Sequence, residues 1–282
     1  MSYILLKGRK FSVRNGILNL RDRHVDSISQ IEGLTELNNL RSLNLSENQV
    51  THIENLKNLT TLESLDLSEN QINEIKSLDN LKDLRKLCLT NNQIIDMKGL
   101  KNLSKLKGLL FGSNQIREIS SLENLTNLRF LDLGNNQISE IKGLRTLLNL
   151  EYLDLRGNQI SEIKGLENLG NLFALYLEKN KINKIEGLEN LTKLRYLSLD
   201  KNQIQRIEGL KKLARLEELH LDYNQINEID DSDKLKRIKL LTSRYEQILK
   251  SKDLSHLPNL KHLYIQGNPI FPEAYDFRFR KR

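Results

Sequence analysis

The sequence predicts an α/β solenoid in which short parallel strands on one face alternate with helical or 3₁₀ turns on the other. Two observations carry that expectation. Apolar residues restart at a fixed period: Leu125, Leu128, Leu131, Leu133, Ile138, Ile141 and Leu144 are followed by the same series from Leu147. An asparagine column also runs through Asn48, Asn70, Asn92, Asn114, Asn136, Asn158, Asn180, Asn202 and Asn224 in steps of 22 residues, lapses at Glu246 and resumes at Asn268. So short a unit cannot bury its own apolar face, whereas a stack of identical units can.

Within one unit, Leu131-Asp132-Leu133 alternates apolar and polar with period two, the pattern of a half-buried strand. Ile138, Ile141 and Leu144 then recur every third residue, which places them on one side of a helical or 3₁₀ turn. An asparagine amide offers two donors and an acceptor, so at the sharp turn after a strand it satisfies backbone groups of its own loop and of the next. In register, these side chains form a continuous structural ladder.

The repeating unit L-x-x-L-x-x-L-x-L-x-x-N-x-I-x-x-I-x-x-L, as in Leu59 to Leu78 or Leu191 to Leu210, resembles the 22-residue class of leucine-rich repeat. That class is typified by the nuclear regulatory subunit of protein phosphatase 1 and is shared by bacterial internalins. The resemblance extends over about nine tenths of the chain. It implies a curved parallel sheet on a concave face, short α or 3₁₀ turns on the convex face, and a partner gripped on the concave side. In its sharper form it implies a phosphatase catalytic subunit as that partner, although a fold of this kind hosts many unrelated functions.

In chain order, one domain of residues 1–282 is expected. Residues 1–17 read as a β-hairpin cap, from the apolar runs Tyr3 to Leu6 and Ile17 to Leu20 with turn signals at Gly8 and Asn15-Gly16. Residues 18–265 hold about twelve repeats, the first and eleventh degenerate. The first carries Arg23 in place of the ladder asparagine and a few extra residues near Ser29 to Glu32; the eleventh, Leu235 to His256, has Ser243, Glu246 and Ser251 where Leu, Asn and Ile belong. Residues 266–282 form an abbreviated cap, in which Asn268-Pro269-Ile270 closes the last turn, followed by a basic tail.

The net charge of +7 is unevenly spread. Residues 1–24 carry six Lys or Arg against one acid, residues 233–282 carry twelve against five, and the body between them holds 26 bases against 31 acids. A nucleic-acid binder places its positive charge along the binding surface, so this distribution argues against that class, with binding through the basic ends kept as the alternative. The single Cys88 excludes an internal disulfide and fits a reducing compartment. No tripartite leader and no run of 18 apolar residues stands in the sequence, so an intracellular monomer, cytoplasmic or nuclear, without a membrane span is expected, against an exported adhesion-type protein. The five N-L-[ST] sequons at Asn44, Asn58, Asn102, Asn124 and Asn190 then follow from the repeat writing its own "NL".

The outward strand positions give the candidate binding face. Only 15 residues are aromatic, and eight of them, Phe130, Tyr152, Phe173, Tyr176, Tyr196, Tyr223, Tyr245 and Tyr264, occupy outward strand or strand-end positions after residue 129. Cross-strand stacking alone does not explain their confinement to one half, and Tyr is a favoured interface anchor. Beside them stand Asp132, Asp154, Glu178, Asp200 and Asp222, together with His220. A globular protein with a basic, partly apolar surface suits this set; alternatively the acids pair with Arg129, Arg156 and Arg195 as a solvated face. No enzyme, cofactor or metal site is read from the sequence. Asp132 and Asp154 have the spacing of any parallel ladder and no enclosing pocket, and His220 and His262 are placed two strands apart, too far to share a zinc.

Overall fold

The computed structural model describes residues 3–227, 254 and 256–269. All of the degenerate repeat Leu235 to His256 except residues 254 and 256, together with Ile270 and the basic tail, lies outside the described residues, and Tyr245 with it. The chain divides into two compact units, Met1–Ile138 and Ser139–Arg282.

The first unit opens with an antiparallel hairpin of β1 (Tyr3–Leu6) and β2 (Arg9–Ser12), whose two-residue turn puts both Lys7 and Gly8 at positive φ. The hairpin partner of Tyr3–Leu6 is therefore Arg9–Ser12 and not the run Ile17 to Leu20, which instead supplies β3 (Ile17–Asn19), the first strand of the solenoid. Asn15-Gly16 makes a second tight turn, with Arg14 and Ile17 exchanging N–H···O bonds of 3.1 and 2.9 Å. The extra residues of the first repeat form a 3₁₀ turn, Ile28–Gln30, and a short strand β4 (Ile31–Glu32) that pairs with the free side of β1. A three-stranded cap, β2-β1-β4, results.

From β3 the repeats stack in parallel through β5 (Ser42–Asn44), β6 (Ser64–Asp66), β7 (Lys86–Cys88), β8 (Gly108–Leu110) and β9 (Phe130–Asp132). The second unit continues the pattern with β10 (Tyr152–Asp154), β11 (Ala174–Tyr176), β12 (Tyr196–Ser198), β13 (Glu218–His220) and β14 (His262–Tyr264). Every strand has an inward Leu at its centre, as with Leu65, Leu109, Leu175 and Leu219, each fully buried. Behind the sheet, i→i+3 bonds such as Leu59 N–H to Leu56 O (2.9 Å) and Leu62 N–H to Leu59 O (3.0 Å) make turns of 3₁₀ type in repeat after repeat.

The asparagine ladder sits just past each strand. Asn136 Nδ2 donates to Leu133 O (3.0 Å) and Gly134 O (3.2 Å) of its own repeat and to Phe111 O (3.0 Å) of the preceding one, while its Oδ1 accepts Ile116 N–H (3.0 Å). Asn70, Asn92 and Asn114 repeat that four-way pattern in the first unit, and Asn180, Asn202 and Asn224 in the second. Asn48 serves the degenerate first repeat, accepting Arg23 N–H and Val25 N–H at 3.0 Å each.

One expectation changes here. Asn268 reaches back to Leu221 O (2.9 Å) and accepts Ile226 N–H (3.0 Å), and β14 pairs directly with β13. Asn224 and Asn268 are thus adjacent rungs, and eleven parallel strands stack among the described residues; the further strand expected within Leu235 to His256 lies outside them. In sequence the intervening stretch keeps Leu241 at the central strand position but carries Ser243 and Glu246 where the second Leu and the ladder Asn belong.

The ladder generates a stability prediction. Asn136→Ala removes four buried hydrogen bonds at once and is expected to cost on the order of 2 to 3 kcal/mol in chemical denaturation. A loss below about 0.5 kcal/mol would show that the ladder decorates the turn rather than holding it.

Candidate functional site

In β10 to β14 the central Leu points inward, so the first and third residues of each strand form two outward columns. Register sets Tyr152 beside Ala174, Ala174 beside Tyr196, Tyr176 beside Ser198 and His220 beside Tyr264. Large and small residues thus alternate between the columns, and Ala174 and Ser198 are buried beneath the rings that flank them. The rings close into one chain. Centroids lie 4.9 Å apart for Tyr152 and Tyr176, 4.8 Å for Tyr176 and Tyr196, 5.0 Å for Tyr196 and His220, and 4.1 Å for His220 stacked on Tyr264. All are in the range of favourable aromatic pairs. The rings are half-buried, and Tyr176, Tyr196 and His220 each lie between two ring neighbours.

Phe173 and Tyr223 flank this row and are more exposed, 49% and 52%. Each carries a cation of the chain over its ring, Arg195 on Phe173 (5.6 Å) and Lys201 on Tyr223 (5.6 Å). Phe130 and Asp132 are half-buried on β9 of the first unit, where Asp132 Oδ1 accepts the Gly134 N–H at 2.9 Å. A Cβ on Gly112 would come within 2.9 Å of the Asp132 carboxylate, which is why the smallest residue stands there.

The acids do not behave alike. Asp154 is buried and gripped by Arg156, whose Nε donates to Oδ2 at 2.7 Å and whose Nη2 lies 2.7 Å from the same oxygen. Arg156 Nη1 reaches Glu178 Oε1 at 3.2 Å, and the guanidinium lies 5.0 Å over the Tyr176 ring. This hydrogen bonding holds the Arg156 pKa above its ordinary value. Glu178 Oε2, by contrast, is buried without a hydrogen-bond partner among the described residues. Asp200 Oδ1 accepts the Asp222 N–H (2.7 Å), and Asp222 Oδ1 in turn accepts the Gln266 N–H (2.5 Å). Burial, reinforced by the nearby Asp222 and Glu178 charges, pushes the Asp200 pKa up to about 7. Arg195 pairs with Glu217 (3.3 Å), outside this set of acids, whereas Arg156 is placed among them. Burial also raises the Tyr152, Tyr176 and Tyr196 hydroxyl pKa values, so these groups remain donors across the neutral range.

Because β13 and β14 are neighbours, His220 and His262 stand on adjacent strands, not two apart. Glu218 lies between them, with Oε2 3.5 Å from His220 Nε2 and Oε1 3.8 Å from His262 Nδ1. Burial lowers the His220 pKa, which keeps the ring neutral at pH 7. Among the described residues no cluster of three or more His, Cys, Asp or Glu is arranged to hold a metal ion. Nor does any helix there have the length and apolarity to cross a membrane. Cys88 is buried beside Thr90, and desolvation raises its thiol pKa, the opposite of what a nucleophile needs. Arg156, Glu218 and His262 belong to the site as well, and the large-small alternation of the two columns is the signal that marks where the rings meet.

Residues 111–275 match the family model described as a leucine-rich repeat region, residues 60–102 one described as two leucine-rich repeat copies, and residues 36–51 a single-repeat model. No curated protein matches the chain. Among solved structures, an internalin of Listeria monocytogenes is 31% identical, with 90% of this chain and 74% of that one covered, at a TM-score of 0.66. An internalin C2 of the same organism is 38% identical over 65% of this chain and 80% of its own, at 0.62. A repeat protein of Leptospira interrogans is 27% identical over 89% and 72%, at 0.68.

The Asp200 environment makes stability depend on pH. Its folded pKa of about 7 exceeds the ordinary carboxylate value of 3.8, so its contribution is full below about pH 4 and fades as pH rises through 7. Asp200→Asn keeps the acceptor for the Asp222 amide and removes the charge. At pH 8 the variant is expected to be more stable than the natural chain by on the order of 1 to 2 kcal/mol after allowance for solvent screening, and no more stable at pH 4. Denaturation curves at the two pH values check this; the same difference at both would place the effect in packing.

Proposed function

The chain belongs to the leucine-rich repeat family, whose fold is generally a protein-interaction scaffold, and from that premise we propose that it grips a globular protein on the outward face of β10 to β14. The observation that carries the proposal is the ring chain from Tyr152 to Tyr264, which spans five strands on the outward face of the sheet, each ring half-buried among the described residues. Half-buried rings held by their neighbours lose little side-chain freedom on binding and offer a polar tip, the properties of interface anchors.

On this reading no catalysis is required of the chain. A phosphatase catalytic subunit as the partner rests on the repeat-sequence resemblance alone. The two internalins favour a second version, an adhesion-type protein that meets its partner outside the cell. The two versions share the same face and differ in export, which fractionation of the producing cells distinguishes.

The test is a binding titration, run on the partner recovered with the chain, of Tyr176→Ala and Tyr196→Ala against Ser64→Ala and Ser68→Ala. Each tyrosine change is expected to weaken binding by roughly 1 to 3 kcal/mol, with the serine changes near zero. Thermal melts belong alongside, since each ring also contacts two neighbours and its loss is expected to cost about 0.5 to 1.5 kcal/mol of stability per lost pair. Affinity that falls equally in both groups would assign the rings to sheet packing.

A further inference from the structure

Resting on that reading, we propose that the partner docks through an arginine side chain, which enters the ring row beside Tyr196 and pairs with Glu178 and Asp200. The chain itself contains the template. Arg156 lies over the Tyr176 ring at 5.0 Å, holds Asp154 in a forked contact and touches Glu178 Oε1 at 3.2 Å. One repeat further on the same parts recur, with no arginine of the described residues in the place that Arg156 takes. A tyrosine, Tyr196, stands in the neighbouring column with its ring 4.8 Å from Tyr176, the Glu178 charge acts on both Tyr196 and Asp200, and Glu178 Oε2 has no hydrogen-bond partner among the described residues. Asp200 occupies the strand-end position that Arg156 holds two repeats earlier. No Lys or Arg of the described residues makes an ion pair with Asp200, whose contacts are the Asp222 amide and, at 3.7 Å, His220 Nδ1.

Charge complementarity selects the occupant. Glu178, Asp200, Glu218 and Asp222 crowd this end of the row, and Lys201, the nearest base in sequence to Asp200, points its ammonium at Tyr223 instead. A guanidinium matches both demands, since its plane stacks on an aromatic face while its edge forks to carboxylates; an ammonium meets only the second. An acidic or purely apolar partner segment would leave the Glu178 oxygen desolvated and unpaired.

The groups that face Asp200 set the pH behaviour. Asp222 and His220 approach from β13 and its turn, Glu178 from the turn after β11, and Lys201 follows in sequence. As pH rises through 7, Asp200 ionises and any proton on His220 is lost, so both changes favour a bound cation.

The experiment is fluorescence anisotropy with labelled nona-arginine, nona-lysine and nona-citrulline on the full chain at pH 6 and pH 8. Nona-arginine is expected to bind more tightly than nona-lysine and severalfold more tightly at pH 8, with nona-citrulline not binding. Glu178→Gln and Asp200→Asn, which keep shape and acceptors, are each expected to weaken nona-arginine about tenfold, whereas Asp83→Asn, an exposed acid of the first unit, leaves it unchanged. Melts confirm that the variants are folded. Equal losses in all three variants, or equal affinity for arginine and lysine peptides, would overturn the proposal in favour of diffuse attraction. The partner titration above separates the two readings: tyrosine changes that weaken the partner while Glu178→Gln and Asp200→Asn do not would sink the arginine and leave the face standing. Insensitivity to both sets would remove both.

Discussion

The asparagine after each strand is the constraint on which the rest of the structure depends. A buried carbonyl or N–H left without a partner costs about 1 to 3 kcal/mol, and every turn of this solenoid brings several such groups together at the sheet's end. One amide side chain, 5% to 9% exposed in most rungs, satisfies four of them, two in its own repeat and two in the repeat before. The bond that crosses between repeats fixes the step, so each strand lies in register with the last, and the inward Leu residues stack without any long-range instruction.

That arrangement overrides local preference. The residue before the ladder asparagine takes positive φ in most repeats, and it is Glu47, Glu69, Lys179, Lys201 or Tyr223 as readily as Asn91, Asn135 or Gly157. Non-glycine residues pay roughly 1 to 2 kcal/mol for that conformation, less than the bonds the ladder gains by it. At Tyr223 the strained backbone also aims the side chain outward, against Gly267, where an added Cβ would come within 2.5 Å of the ring. The turn therefore displays an aromatic residue as a by-product of holding the ladder.

The repeat was legible in the sequence because its signal is periodic: strand positions, inward Leu and ladder Asn all fall where a 22-residue step puts them. What escaped was aperiodic. The pairing of Tyr3–Leu6 with Arg9–Ser12 and with Ile31–Glu32 depends on a Lys-Gly turn that competes with the stronger Asn-Gly signal, and the latter folds within the start of the solenoid instead. The direct contact of β13 and β14 depends on which asparagine supplies the next rung, and counting residues places the repeat Leu235 to His256 between them in sequence. Of the site, the outward columns and their rings were readable by position. Which acids are matched was not, because Arg156 can pair with Asp154 beside it or with another repeat, and only side-chain geometry decides.

The acids at the two ends of the row are held differently. A face needed only for stability would carry the Arg156 solution throughout, since a forked arginine over a ring neutralises two carboxylates and covers the ring edge. Beyond Glu178 no Lys or Arg of the described residues makes an ion pair with Asp200, and burial pushes its pKa up to about 7. That is a standing cost to the folded state at neutral pH, of the kind proteins carry where a site awaits a ligand. Binding of a cation there returns the cost, so the same charges that weaken the free chain strengthen the complex, and the affinity gained is linked to the proton released from Asp200.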